Sequence, residues 1–565
     1  MNVTLAYRGR SDLADAGGRR VFRLVPNLAR DPVAFDAPLL QPLRFREAMS
    51  ALHDVVINDL RYKPRDKTAY EQWKKNEQAR QAAVRRQGYQ TAMADIEARR
   101  GVALPAGLER HFNQLRKKYW DARIKYSNYL LRHDPDLWRK LMPCDPVITV
   151  AADVAFFECF SADESSYGCL SVDRDDGFGK AEGVQCGTTN VDYSWDLYHH
   201  FQSLRSYRQT RFSVDPQGFS VATAGTADVR EEKIDLPAGW LRGFMTLQSA
   251  MTMPGQRVTL PRDVVYSILA FLKRHKPHRS PRAIRFELIP DKPPQILLEP
   301  WEERIISHGP AYQGPPVEPV RVWGGRRLLV LARVLPLAER FDVHLLGTGL
   351  PHFWIAHMGE MRLTLGLSGW TTNDWTRGSA IDLLAPPTAP SPDLVDNVAA
   401  ILRERRAATL AQVRDAVGAE ANIVAAALRQ LAHSGQAIHD LPASRYRWRQ
   451  IMPRALGEDE MGPEHPELAG ARTIIVRGRA DLQSRKEVPQ GGYVLAGTAD
   501  NDPVEILVDA EGRIRRGKCV CGYYRRFALR NGPCRHMLAL RWRASAKALE
   551  AMRASGWYEQ MKGNN

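Results

Sequence analysis

The chain has 565 residues, with 80 Lys and Arg against 64 Asp and Glu, a formal net charge of +16 and seven cysteines. Such a length suits three or more domains with cores of their own, and the positive balance favours polyanionic or acidic partners. The few, irregularly spaced cysteines argue against a disulfide framework, no apolar run approaches the roughly 20 residues of a membrane helix, and the first ten residues lack the apolar core of a signal peptide, so a cytoplasmic location is expected.

Residues 1–142 read as an N-terminal region. A helix is expected over 45–60, followed by two long helices over 66–100 and 106–132, separated by Gly101-Val-Ala-Leu-Pro105. Both are rich in helix-forming residues and lack internal proline, which predicts an antiparallel helical hairpin. It is basic, with twenty Lys and Arg against nine Asp and Glu over residues 61–140. The stripe Phe112, Leu115, Tyr119, Ile124 and Tyr126 is expected to be core or a coiled-coil seam, and the cations a solvated face.

Residues 143–385 shift towards β-branched and aromatic residues and predict a central mixed α+β body. Strands are expected over 148–157, 283–289, 295–298, 342–346 and 353–367, with a hairpin pairing 211–214 and 218–222. Helices are expected over 193–204, 239–251 and 261–275. The densest polar groups are Asn190, Asp192, Asp196, His199 and His200, and His352, His357, Glu360 and Asp374. Neither contains a zincin motif, a nucleophile elbow or a paired-carboxylate motif. Adjacent His199 and His200 would point to different helix faces. The expectation is a structural role for both groups, leaving catalytic residues unassigned and an enzyme in the body as a third reading behind two binding ones.

Residues 386–392 hold four prolines in seven positions, a linker. Beyond it, residues 393–452 show three helical stretches. Leu394, Val398, Ile401 and Leu402 line the first, Thr409 can cap the second over 410–417, and Val424, Leu428 and Leu431 line the third over 421–434, which Gly435 ends. Two short strands over 436–439 and 445–449 follow. This order resembles winged helix-turn-helix domains, in whose DNA-binding members the third helix enters the major groove and the wing touches the backbone. That resemblance implies nucleic-acid contact by Asn422 and Arg429 of the third helix and by Arg445, Arg447 and Arg449 of the wing, which alternate onto one face. Protein interaction is the other role open to such a module.

An acidic linker over 453–470 leads to a small domain, 471–565. Strands are expected over 473–476, 493–496, 505–508 and 513–518, the last two forming a hairpin across Asp509-Ala-Glu-Gly512. The hairpin delivers Cys519 and Cys521; after a basic excursion, Asn531-Gly-Pro533 leads to Cys534 and His536 at the start of a helix. Cys-x-Cys-x12-Cys-x-His is a metal-ligand spacing, and four protein ligands around a tetrahedral zinc ion leave no open position, which makes the site structural. Residues two apart share no mid-helix face, so Cys534 and His536 converge only in a first turn. Residues 513–547 carry eleven Lys and Arg and no Asp or Glu. With Tyr523, Tyr524, Phe527 and Trp542 interleaved, Arg515, Arg516, Lys518, Arg525, Arg526 and Arg530 are candidate nucleic-acid contacts.

The four ligands on a strand hairpin followed by a helix resemble the SWIM zinc finger, with residues 504–543 covered. This resemblance implies one zinc ion and interaction with nucleic acid or protein. The order of body, winged helix and finger is similar to large bacterial SWIM proteins, some encoded beside MoxR-type AAA ATPases and von Willebrand A-domain proteins, which implies a possible adaptor role. The expectation is therefore an α+β multidomain protein that binds zinc and nucleic acid, DNA first, with a non-enzymatic adaptor of such an ATPase assembly as the alternative.

Overall fold

The computed structural model describes residues 12–16, 19–23, 33–57, 146–190, 201–202, 204–206, 210–215, 218–222, 238–253, 255–278, 280–370, 375, 390–451, 466–488, 492–510, 514–529 and 532–554, with scattered helical positions between 114 and 133. Asp59–Met142 form a compact unit of their own, and the rest of the chain forms another. Apart from those scattered positions, the expected helical hairpin lies outside the described residues, as does most of the helix expected over 193–204.

The described fold is α+β, with several antiparallel sheets. Its largest sheet is built from β1 (Val147–Val150), β2 (Val154–Phe160), β3 (Ser166–Asp173), β4 (Gly187–Asn190), β5 (Gln256–Pro261), β6 (Arg340–Leu345), β7 (His352–Met358) and β8 (Met361–Leu367). The order is β5-β6-β7-β8-β3-β2-β1-β4, with antiparallel neighbours. The single strand expected over 148–157 is in fact the β1–β2 hairpin, closed where the Ala151 N–H donates to the Val154 carbonyl at 2.8 Å. Likewise 353–367 folds back on itself as β7 and β8, around a turn in which Gly359 takes φ +66°.

The strands read as nearly continuous apolar runs because helices and further sheets cover them. The helix α1 (Pro42–Ile57) lies on β2 and β3, and Gly168 permits the crossing: a Cβ there would stand 2.7 Å from Leu52 Cδ1. Phe45 of α1 meets Phe157 of β2 edge-on, centroids 5.5 Å apart. Ala34–Pro38 pairs with Arg211–Asp215 and Glu182–Gln185 in a second sheet, so residues 33–57 belong with the body and not with the unit Asp59–Met142. A third sheet holds Ile284–Glu287 and Gln295–Leu298, near the spans expected. Two body helices match their expected spans closely, α2 (Ala238–Met251) and α3 (Arg262–Arg274).

After the proline-rich linker come α4 (Pro392–Arg405), α5 (Leu410–Val417) and α6 (Ala421–His433). Ser391 caps α4; Thr409 and Gln412 form a reciprocal capping box at α5, satisfying two donors that a helix start leaves open. Gly418 at φ +71° and Gly435 at φ +72° close the second and third helices. Val398, Leu402, Val413, Val424 and Leu428 form the shared core, each 0% exposed. The short β9 (Ala407–Ala408) joins the hairpin β10 (Ala437–Asp440) and β11 (Arg445–Trp448) in a three-stranded sheet ordered β9-β11-β10.

The C-terminal module opens with α7 (Pro466–Val476). The strand expected over 473–476 is the last turn of that helix: its β-branched run sits on a helical frame that begins at Pro466, a residue well suited to a helix start. The sheet β12 (Ala480–Val488), β13 (Gly492–Ala499), β14 (Asp502–Val508) and β15 (Ile514–Cys519) is a meander in chain order. The short helix α8 (Gly522–Phe527) follows, and α9 (Arg535–Ala554) crosses the sheet. Gly497 permits that crossing, since a Cβ there would fall 2.0 Å from the Asp481 carbonyl oxygen and 2.8 Å from Leu540 of α9.

Candidate metal centre and basic surface

Val504 of β14 stands opposite Cys519, the last residue of β15, so the hairpin fixes the first ligand at its end. Cys521 caps α8, its Sγ accepting the Tyr524 N–H at 3.4 Å. Cys534 immediately precedes α9, with its carbonyl accepting the Leu538 N–H, and His536 lies in the first turn, the arrangement that brings residues two apart together. The three Sγ atoms and the imidazole nitrogen all lie within 4.8 Å of one another. Cys519 Sγ and His536 Nδ1 are 3.6 Å apart; a tetrahedral ion with bonds of about 2.0–2.3 Å requires edges of about 3.5–3.8 Å. Cys534 is fully buried, Cys519 and His536 nearly so, and Cys521 partly exposed. The four residues can hold a metal ion, and they use all their ligand atoms on one another's side of the cluster.

Hydrogen bonds within the group shift its thiols and imidazole. The Cys534 thiol is pulled down to about 4, chiefly by the hydrogen bond from Cys519, against the cost of burial, and with help from His536. Cys519 moves up because it donates that bond, and His536 moves up because it faces the Cys534 thiolate.

Neighbouring carboxylates hold the ligands in place. Asp502 Oδ2 stands 3.8 Å from His536 Nε2, on the ring edge away from Cys519. Glu467 of α7 accepts the Arg535 backbone N–H at 2.7 Å and its guanidinium NH2 at 2.8 Å, which fastens the residue between Cys534 and His536 to α7. These hydrogen bonds hold the Glu467 carboxyl below its usual range, despite burial.

The basic candidates divide sharply. Arg515 pairs with Asp509 at 2.5 Å, and Lys518 stands 3.9 Å from Glu505. Arg516, Arg525 and Arg526 are exposed, and among the described residues no carboxylate pairs with them. Arg530 lies outside the described residues. Asn422 is exposed at the start of α6, its Oδ1 accepting the Ile423 N–H, while Arg429 is half-buried.

The wing arginines are placed otherwise than expected. They do share a face, but that face meets the body. Arg447 is 3% exposed, between Asp440 at 2.8 Å and Asp153 of the β1–β2 turn. Arg449 is 2% exposed, its NH1 3.1 Å from Oε2 of the fully buried Glu158 of β2 and its guanidinium over the Phe244 ring of α2. Arg445 stands 3.9 Å from Asp153. Arg447 and Arg449 are therefore corrected from nucleic-acid contacts to buried ion pairs. The third helix and the wing strand β10 are also engaged: His433 Nδ1 lies 2.9 Å from Ser249 Oγ of α2, and the backbone N–H of His439 in β10 donates to Gln248 at 2.9 Å. Asp153, Glu158 and Gln248 carry no local signal in the sequence that would have marked them as partners of residues nearly 200 to 300 positions away.

The polar groups of the body behave as structural ones where they are described. His352 donates from Nε2 to the Trp323 carbonyl and accepts the Trp354 indole N–H at Nδ1, and burial pushes its pKa down to about 4. His357 bonds to Asp342 at 2.8 Å, and Glu360 pairs with Arg44. Asp192, Asp196, His199, His200 and Asp374 lie outside the described residues.

No protein-family model and no curated protein matches the chain. Among solved structures it is similar to the proliferating cellular nuclear antigen of Entamoeba histolytica, at 12% identity and a TM-score of 0.29, over 40% of this chain and 89% of that one. It is similar also to PCNA of A. fulgidus, solved with the C-terminal region of FEN-1, at 12% identity and TM-score 0.28 over 41% and 91% of the two chains. PCNA of Thermococcus kodakaraensis matches at 10% identity and TM-score 0.29, over 40% and 90%. Likeness at these TM-scores carries neither a fold assignment nor a function.

Proposed function

We propose that Cys519, Cys521, Cys534 and His536 hold one structural zinc ion in a SWIM-type finger, and that the module so ordered binds nucleic acid, DNA first. The donor set of three cysteine sulfurs and one imidazole gathered within 4.8 Å supports zinc. The observation that carries the nucleic-acid reading is the trio Arg516, Arg525 and Arg526, exposed beside the ligands and without carboxylate partners among the described residues. Guanidinium groups left unneutralised in this way suit phosphate.

The segment between the linkers is read as a winged helix that serves as a fixed connector. Its wing arginines and part of its third helix already engage the body, which supports protein packing and not groove reading. The same observation favours the second reading, an adaptor whose remaining basic surface docks on an acidic partner such as a subunit of an AAA ATPase and von Willebrand A-domain assembly.

The test is fluorescence anisotropy of the full-length protein with labelled DNA over a salt series, after elemental analysis has given one zinc per chain. Binding that weakens steeply with salt and is lost in Arg525→Ala/Arg526→Ala supports nucleic acid. No binding at low salt sinks that reading and sends the search to protein partners.

The zinc assignment makes a prediction of its own. Asp502 places a negative charge 3.8 Å from His536 Nε2, beyond hydrogen-bond reach, while outer carboxylates that hydrogen-bond a ligand change metal affinity about 10- to 100-fold. Asp502→Asn is expected to weaken zinc binding by up to about 10-fold, the lower end of that range, in competition with a chromogenic chelator. Unchanged affinity would remove Asp502 from the site.

A further inference from the structure

We infer that the surface formed by β15 and α8 takes single-stranded nucleic acid, with Phe527 as its stacking residue. The inference rests on the nucleic-acid reading above and names the substrate class of the same surface.

Two observations build the surface. The first is where α8 lies: the Tyr524 hydroxyl donates to the carbonyl of Gly517, which sets α8 against the outer edge of β15. That bond joins the two basic segments, since Arg516 precedes Gly517 in β15 and Arg525 and Arg526 follow Tyr524 in α8. Gly517 and Cys519 turn towards α9 and the core, since a Cβ on Gly517 would meet Met537 at 2.6 Å, so strand alternation turns Arg516 to the opposite face. The second is the aromatic pattern. Tyr523 and Tyr524 pack against the module's core. Phe527, one turn beyond Tyr523 and 5.2 Å from it between centroids, is partly exposed, with the Arg526 guanidinium 5.1 Å from its ring. Val520, between two ligands, is 44% exposed nearby in sequence.

The partly exposed Phe527 ring carries the Arg526 guanidinium over it, so a base stacks there by taking that position, which frees Arg526, beside Arg525 in sequence, for the flanking phosphates. Bases in a duplex present only their edges, so the ring would have nothing to stack on. The alternatives for a duplex are poor in this chain. The helix α8 has six residues, about 9 Å of helix, the third helix of the connector packs on α2, and two of the three wing arginines are buried.

The experiment compares a labelled 20-nucleotide oligothymidylate with a 20-base-pair duplex of mixed sequence, using the zinc-loaded full-length protein. Expected are at least tenfold tighter binding of the single strand and a salt slope of about −2 to −3, from three or four phosphate contacts. Phe527→Ala is expected to weaken the single strand about 5- to 150-fold while leaving duplex binding unchanged and one zinc per chain. Phe527→Leu keeps the bulk and removes the ring, so it carries the same test should the alanine variant lose zinc. Equal affinities for both DNAs, or indifference to both Phe527 variants, would overturn the single-strand inference and leave the nucleic-acid reading standing. No binding of either DNA at low salt would overturn both.

Discussion

Cys534→Ser is expected to abolish stoichiometric zinc binding and to unfold much of the C-terminal module. Cys534 is 0% exposed and joins the start of α9 to the end of β15, two elements that otherwise meet across a modest core of Leu495, Val504, Ile506, Met537 and Leu540. Structural zinc contributes about 10–16 kcal/mol in finger peptides, comparable with or above the total stability of an ordinary domain, about 5–15 kcal/mol. Loss of even about 3 kcal/mol would lower the melting of a module this size by about 12–24 °C. Elemental analysis and calorimetry check this, with Cys186→Ser, a cysteine outside the cluster, as the control. A Cys534→Ser protein that keeps one zinc and melts unchanged would remove the metal assignment.

Glu158→Ala should be the most damaging single change in the body, at about 3–5 kcal/mol, because it leaves Arg449 buried without its counter-charge. Glu158 also accepts the hydroxyl of fully buried Tyr167 at 2.8 Å, which would lose its partner too. Burial raises the Glu158 pKa, and the Arg449 guanidinium and the Tyr167 hydrogen bond pull against it. A double replacement, Glu158→Leu with Arg449→Met, removes both charges and should recover most of the loss, since apolar isosteres often match a buried pair. Urea unfolding of the three proteins measures both effects. A loss below about 1 kcal/mol for Glu158→Ala would show that the pair is not held as described.

The elements that could be read from sequence are those whose signals are local. Thr409 and Gly435 mark helix ends because caps and left-handed positions depend on a few neighbouring residues. The cluster of Cys519, Cys521, Cys534 and His536 is legible for a similar reason: their spacing, with a hairpin before and a helix after, almost dictates convergence. The errors also have local causes. Ala151-Ala-Asp153 turns without glycine or proline, so β1 and β2 merge into one apparent strand. Thr473-Ile-Ile-Val476 has β-branched composition, but the helix begun at Pro466 carries it. β12 was missed because its alternation of Arg485, Lys486 and Glu487 with few apolar residues reads as loop; it is an outer strand, largely exposed. The wing arginines show the deeper limit. Period-two spacing assigns them a common face, but what that face meets is decided by Asp153 and Glu158, which are nearly 300 residues earlier.

The inserted arginines of β11 bear on how the protein can be divided for experiments. A fragment cut at the proline-rich linker would carry Arg445, Arg447 and Arg449 away from Asp153 and Glu158, and would open to water the Arg447 and Arg449 guanidinium groups that the intact chain buries. Such a piece would cling to DNA, heparin or an acidic resin alike, and that stickiness would be a product of the scissors. A cut on the other side of this segment, between 452 and 465, keeps the connector with its body but parts Trp370 from Tyr493 and Arg541 of the C-terminal module.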